Sequence, residues 1–216
     1  MSITLSTGAI LQVAKTYASS LSFSAISNAT QAVCTVTGST IVAGDYVEVS
    51  SGWGLLDKGV CRAYTGSSAT SLILEGIDTT DTSKYPATTG TGSVRKISVW
   101  SDLSQVKSVT ASGGTQNYAD ITSIVDVVER KIPTTRSAID MTIDCYDDPT
   151  LPWYADVSVA DAARTPYGLL MKFPNGSKLA ANAYWSLLKV PTMAVNEALM
   201  TQISLSYAAE PVRYAS

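Results

Sequence analysis

The sequence predicts a mainly β chain with one short helix, and three segments carry that reading. In residues 167–190 two apolar runs, YGLLMKF and SKLAANAYWSLLKV, flank Pro174-Asn175-Gly176, with Phe173 leading into the turn. An Asn-Gly pair between apolar runs is a strong hairpin signal, because both residues tolerate the positive φ of a tight turn that matches strand twist. Residues 138–148 alternate Ile139, Met141, Ile143 and Cys145 with Asp140, Thr142 and Asp144. That period of two sends one set of side chains into a core and the other away from it. Residues 26–97 hold four short runs rich in Val, Tyr and Thr: AVCTVT, DYVEVS, VCRAYT and TSLILEGI. Turn signals about every ten residues between them indicate a small β-barrel or sandwich.

Taken in order, residues 3–17 read as a first strand region, with Ile10, Leu11 and Val13 as core candidates and Ser6-Thr7-Gly8 as a loop. Residues 18–24 are a Ser-rich connection. Residues 79–93 (TTDTSKYPATTGTGS) are a polar surface loop. A strand follows at 106–111. Residues 113–137 enter on two glycines and carry mixed charge; a loop of such length is functional or mobile unless it hides a strand pair with a poor signal. Asp148 is placed to cap a short helix over PTLPWYADVSVADAAR, with Pro149 and Pro152 tolerated in the first turn and Pro166 ending it. Trp153, Val157 and Ala160 would share its buried face. Ile203, Leu205 and Tyr207 alternate with polar residues in a final strand. Residues 208–216 form a tail, either an arm onto a neighbour or a disordered end.

Composition narrows function. Charged residues make up 15% of the 216 residues, against about 25% in an average soluble domain, which suggests that much of the surface meets other protein. A net charge of −3 argues against a protein that binds nucleic acid by neutralising phosphates. There is no histidine, so the commonest acid/base group and metal ligand is missing. Cys34, Cys61 and Cys145 lack CxxC spacing and read as buried strand residues, with a Cys34–Cys61 bridge left open. Asp147-Asp148 fits a strand end and helix start better than an acid/base or metal pair, since neighbours on a strand point apart. Gly52-Trp53-Gly54 reads as a turn with a packed Trp rather than a sugar-stacking tip. No apolar run is long enough to span a bilayer, and the N-terminus lacks a signal-peptide pattern. No cofactor, metal site or catalytic residue is expected.

Two resemblances emerge from the order of these signals. From Trp100 to Pro211 the chain resembles the tail tube protein of long-tailed bacteriophages. The matching elements are Val106-Lys107-Ser108-Val109-Thr110, Tyr118-Ala119-Asp120-Ile121-Thr122, Arg130-Lys131-Ile132-Pro133, Cys145-Tyr146-Asp147-Asp148-Pro149, a helix, the hairpin Lys172-Phe173-Pro174-Asn175-Gly176, and a last Ile-Ser-Leu-Ser strand. Thr134-Thr135-Arg136-Ser137 stands where that family has a Gly-rich turn. Residues 26–97 resemble a small β module of phage virion proteins, itself similar to the catalytic-cysteine region of ubiquitin-activating enzymes. Its signature here is residues 26–33 (ISNATQAV), Gly44-Asp45-Tyr46-Val47, residues 74–80 (LEGIDTT) and Gly90-Thr91-Gly92, with Leu55-Leu56-Asp57-Lys58-Gly59 standing where an Asn-Gly pair is commoner. Neither Cys34 nor Cys61 has a histidine or adjacent base to activate it.

The tail-tube resemblance implies a β-sandwich or half-barrel with one flanking helix. It would be built from residues 1–24 and 98–216, with residues 25–97 inserted as a small β-barrel-like domain on the tube exterior. It implies a virion protein, synthesised in the host bacterial cytoplasm, that forms hexameric rings stacked into the tube through which DNA is ejected. Expected partners are further copies of itself and other tail proteins (tape measure, terminator, distal tail). DNA would pass without specific binding, and no membrane insertion is expected. A channel that must not hold DNA favours acidic or neutral linings, which makes Asp140, Thr142 and Asp144 lumen candidates; an ordinary solvated outer face is the other reading. Residues 113–137 would be the inter-ring loop, with Tyr118, Ile124, Val127, Val128, Arg130 and Lys131 as contacts. The alternatives are a virion adhesin or carbohydrate-binding β-sandwich, and a tail terminator or neck ring protein.

Overall fold

The computed structural model describes residues 5–215. Strand β1 (Ile10–Tyr17) is followed by β2 (Leu21–Phe23) and β3 (Ala25–Ile26), so the Ser-rich stretch is partly strand rather than pure connection. Phe23 anchors it, buried against the next core. Within the four predicted runs lie β4 (Val33–Thr35), β5 (Tyr46–Ser51), β6 (Val60–Arg62) and β7 (Ser71–Ile73). A long strand β8 (Gly92–Leu103) runs through residue 98. Strands β9 (Val106–Gly113), β10 (Gln116–Asp120), β11 (Lys131–Arg136) and β12 (Ile139–Tyr146) precede helix α1 (Pro152–Ala163). The chain ends with β13 (Tyr167–Lys172), β14 (Lys178–Leu187), β15 (Met200–Tyr207) and β16 (Val212–Tyr214).

These strands make a curled 11-stranded sheet in the order β6-β5-β8-β1-β13-β14-β15-β12-β9, with β2 added to β8 and β16 to β14. A three-stranded sheet β3-β4-β7 and a β10-β11 hairpin complete the molecule. The fold is therefore the expected mainly β half-barrel with a short helix and small extra sheets.

Three apolar clusters hold it together. The first fills the half-barrel beneath α1, where Trp153, Val157 and Ala160 meet Val13, Ile143, Leu169, Trp185 and Ile203. The second lies within residues 23–94 around Val47, Val49, Trp53, Leu72 and Leu74. The third joins the two on the other face of the sheet: Ala14, Ile97, Leu170 and Ala180 pack against Tyr46, Val60 and Tyr214. Strand β13 and the adjoining parts of β1 and β14 are thus covered on both faces, which is why residues 11–14, 168–170 and 180–183 are buried without alternation.

Local chemistry departs from expectation at several points. Ile10 is exposed, while Leu11 and Val13 are buried as expected. The helix starts at Pro152 with Leu151 as N-cap and no side-chain cap bond. Asp148 lies further upstream, where its Oδ1 accepts from the backbone N–H and hydroxyl of Thr150 in a tight turn. Arg164 ends the helix in the left-handed region, at φ 52. The β13–β14 hairpin is also wider than an Asn-Gly two-residue turn. Gly176 N donates to Phe173 O, Phe173 N to Ser177 O, and Lys172 pairs with Lys178. Only Gly176 takes a positive φ there; Asn175 serves through its side chain, accepting from Ser177 N and Oγ. Pro174 favours such a turn because its ring fixes φ. Phe173 is half-buried under the Arg213 guanidinium, 4.9 Å from its ring centre. Residues 212–214 are neither arm nor loose end, since β16 pairs with β14 of the same chain.

Candidate assembly surfaces

The three lumen candidates lie together on one exposed polar strip. In register, Asp140 sits between Ser112 and Ser206, Thr142 between Thr110 and Ser204, and Asp144 opposite Ser108 and Gln202. Ser108 Oγ donates to Asp144 at 2.7 Å and Gln202 Nε2 at 3.1 Å. These bonds favour the charged form and hold the Asp144 carboxyl below its ordinary range. Met141, Ile143 and Cys145 face the other way, into the first core. On one flank the strip reaches Tyr184 of β14, whose hydroxyl accepts from Lys58 Nζ at 3.3 Å. Lys58, between β5 and β6, therefore borders the strip there. The opposite flank is β9, the last strand of the sheet, exposed over nearly its whole length. Its outer backbone groups have no strand beside them among the described residues, an edge that invites another chain.

Residues 113–137 are not an irregular loop. Gly113 and Gly114, with φ of +83 and +71, turn the chain out of β9 into the β10–β11 hairpin. At Gly113 a Cβ would overlap the Ala138 carbonyl, so the turn needs glycine. The two strands pair only with each other. Tyr118, Ile121 and Ile132 on the stem are exposed, as are Ile124, Val125, Val127 and Val128 at the tip. Arg130 pairs with Asp126 and Lys131 with Glu129, both at 3.4 Å, the second pair open to solvent and the first half-buried at Asp126. Exposure of contiguous large apolar side chains on this scale marks an interaction site.

A second apolar loop escaped sequence reading. It joins β14 to β15 and exposes Leu188, Val190, Met193, Val195 and Leu199. No periodicity distinguished these residues from the adjacent strand; the only signal was their clustering beside Pro191.

Among the described residues no group of His, Cys, Asp or Glu is placed to hold a metal ion. Burial pushes the thiols of Cys34 and Cys61 up to about 12 and that of Cys145 to about 11, and all three are free. Trp53 is buried, its Nε1 donating to Pro86 O at 2.9 Å and Thr89 Oγ1 at 3.0 Å. It is no sugar platform.

The profile of the phage tail tube protein family, TTP, matches residues 51–216, more than three quarters of the chain. The chain belongs to that family. It is a structural component of the phage tail, not an enzyme, and its copies assemble into the tail tube with other tail components. The match begins at the last residue of β5 and takes in β6 to β16. Among solved structures, a chain of the anti-feeding prophage baseplate, seen by cryo-electron microscopy with six-fold symmetry, is 10% identical at a TM-score of 0.40, covering 55% of this chain and 86% of that one. A chain of the anti-feeding prophage tube-terminating cap is 19% identical at a TM-score of 0.37, covering 50% and 79%. No curated protein matches the chain.

Proposed function

We propose that this tail tube subunit forms closed hexameric rings of a long-tailed phage, in which the open β9 edge pairs with a neighbouring copy. The observation that carries this reading is the polar strip beside that edge, exposed on β9, β12 and β15 and bearing Asp140, Thr142 and Asp144. Pairing across copies removes an edge that would otherwise aggregate. Facing the channel, the acidic strip repels duplex DNA and lets it pass without specific binding. The β10–β11 arm, through Tyr118, Ile124, Val127, Val128, Arg130 and Lys131, ties one ring to the next. Residues 25–97 are an insertion of the phage β module type into a tube domain of residues 1–24 and 98–216. They pack on β1, β13 and β14, on the part of the strip-bearing face that is away from the open β9 edge; the curl of the sheet supports turning that part toward the outside of the ring. Tape measure, terminator and distal tail proteins are the further partners.

A double variant, Asp140→Lys with Asp144→Lys, tests the channel assignment. Assembled tubes of the variant should retain duplex DNA at low salt and release it as salt rises, because each added cation releases counterions on binding. Variant tubes that hold no more DNA than wild-type tubes would place the strip elsewhere. A reconstruction of the tube with the 25–97 density inside the channel would overturn the exterior placement.

A further inference from the structure

We infer that the loop between β14 and β15, residues 188–199, is the seat on which the arm of the next ring's subunit docks. This rests on the arm's proposed role in stacking and names the surface that receives it. The two apolar features lie at opposite ends of the same strands. The arm leaves the sheet where Gly113 pairs with Ile139. The loop returns to it where Met200 pairs with Tyr146, and Asp147 N donates to Leu199 O. Eight residues of β12 separate those ends, about 24 Å along a strand. A patch at each end of one axis is the arrangement a head-to-tail contact requires, and such a contact repeats without closing, giving a filament.

Size agrees with that pairing. The arm exposes seven large apolar side chains and the loop five, enough to build a contact on the scale of the ~800 Å² that each partner of a stable interface buries. The loop is shaped to receive something. Thr192 and Met200 bridge its base, with Thr192 N donating to Met200 O at 2.8 Å, and Thr201 Oγ1 donates to Leu188 O at 2.6 Å. Between Thr192, Met193, Glu197 and Met200 lies a cleft of about 80 Å³, a seat for an aliphatic side chain. Arm-to-arm contact is the competing arrangement. It would join two subunits head to head, leave the loop bare and stop at a pair of rings.

The test uses the full chain assembled in solution. A Val190→Ser, Met193→Ser, Val195→Ser variant alters exposed positions only, so its thermal melt should match wild type and rings should form. The protein concentration needed for tubes should rise at least ten-fold. Separately, Ile124→Cys combined with Val195→Cys should give, on mild oxidation of tubes, a disulfide-linked ladder longer than dimers, absent from either single variant. The three native thiols are buried and do not interfere. Unchanged tube formation by the serine variant overturns the docking site, and so does a dimer formed by Ile124→Cys alone. If an arm-shortened chain loses tubes while the serine variant keeps them, the arm still stacks but on another surface. If neither variant loses tubes, the stacking role of the arm fails as well.

Discussion

The hydroxyl of Tyr214 accepts the backbone N–H of Arg62 at 2.8 Å, across 152 residues of sequence. The Arg62 guanidinium lies over the same ring, 4.6 Å from its centre, and pairs with Glu75. One aromatic residue of β16 thus ties β14, its strand partner, to β6 through the third cluster. Removing it by Tyr214→Ala should cost about 3–5 kcal/mol, as for other buried aromatics. Tyr214→Phe keeps the ring but leaves the Arg62 N–H without an acceptor, at about 1–3 kcal/mol. Urea unfolding of both variants measures this. A phenylalanine variant as stable as wild type would mean that the hydrogen bond contributes nothing.

Alkaline pH should unfold the chain steeply. Burial raises the hydroxyls of Tyr17 and Tyr214 far above their ordinary value and that of Tyr207 to about 12. The three thiols are raised for the same reason. Raised folded values mean that the native state keeps protons which the unfolded chain releases. That stability is fully present below the unfolded values, about 8.5 for thiols and 10 for phenols, and is lost as pH climbs toward the folded ones. Stability should therefore fall from about pH 9 and steeply above pH 10, with tyrosinate absorbance rising in step with unfolding. Thiol reagent should find no reactive cysteine at neutral pH until denaturant is added. Full thiol reactivity of native protein would contradict the packing of Cys34 and Cys61.

Elements governed by local rules were legible in the sequence, and those governed by distant packing were not. Strand β12 announced itself because alternation is a local pattern that one buried face enforces. Strand β8 did not, since its buried residues Val94, Ile97, Ser101 and Leu103 are irregularly spaced. Its partner β1 shifts register twice alongside it, which breaks the period of two. Strand β16 is too short to signal itself and is held by distant partners, its Tyr214 buried in the third cluster. The polar strip was visible on one strand alone; Ser108 and Gln202, which fix the Asp144 charge, arrive through pairings that only the register supplies. The arm hid its strands because its apolar residues face solvent and so follow no burial rhythm.

Gly113→Ala should separate folding from assembly. The substitution puts a Cβ into the Ala138 carbonyl at a positive φ, and a strained backbone of that kind costs about 1–3 kcal/mol. The strain falls at the root of the arm, outside the three cores, so the variant should stay folded with a somewhat lower melting temperature. The arm would leave β9 at a different angle, and stacking should suffer more than ring formation. Sedimentation and negative-stain images compare the two. Normal tubes at wild-type concentration would show that the arm's direction is not set by Gly113.

Deleting residues 31–95 addresses how independent the proposed insertion is. The cut takes Tyr46 and Val60 away from Ala14, Ile97, Leu170 and Ala180, and deprives Tyr214 of Arg62. Burying each large apolar side chain contributes about 1.5–3 kcal/mol, so the loss is on the order of 5 kcal/mol, as large as the whole stability of many domains. The bare deletion should therefore fold poorly and expose an apolar face. Adding Ile97→Thr and Leu170→Thr makes that face polar and should restore soluble protein and rings, because the first core beneath α1 is untouched by the cut. A bare deletion with wild-type stability would show that the shared cluster carries little energy and that residues 25–97 are a free-standing appendage.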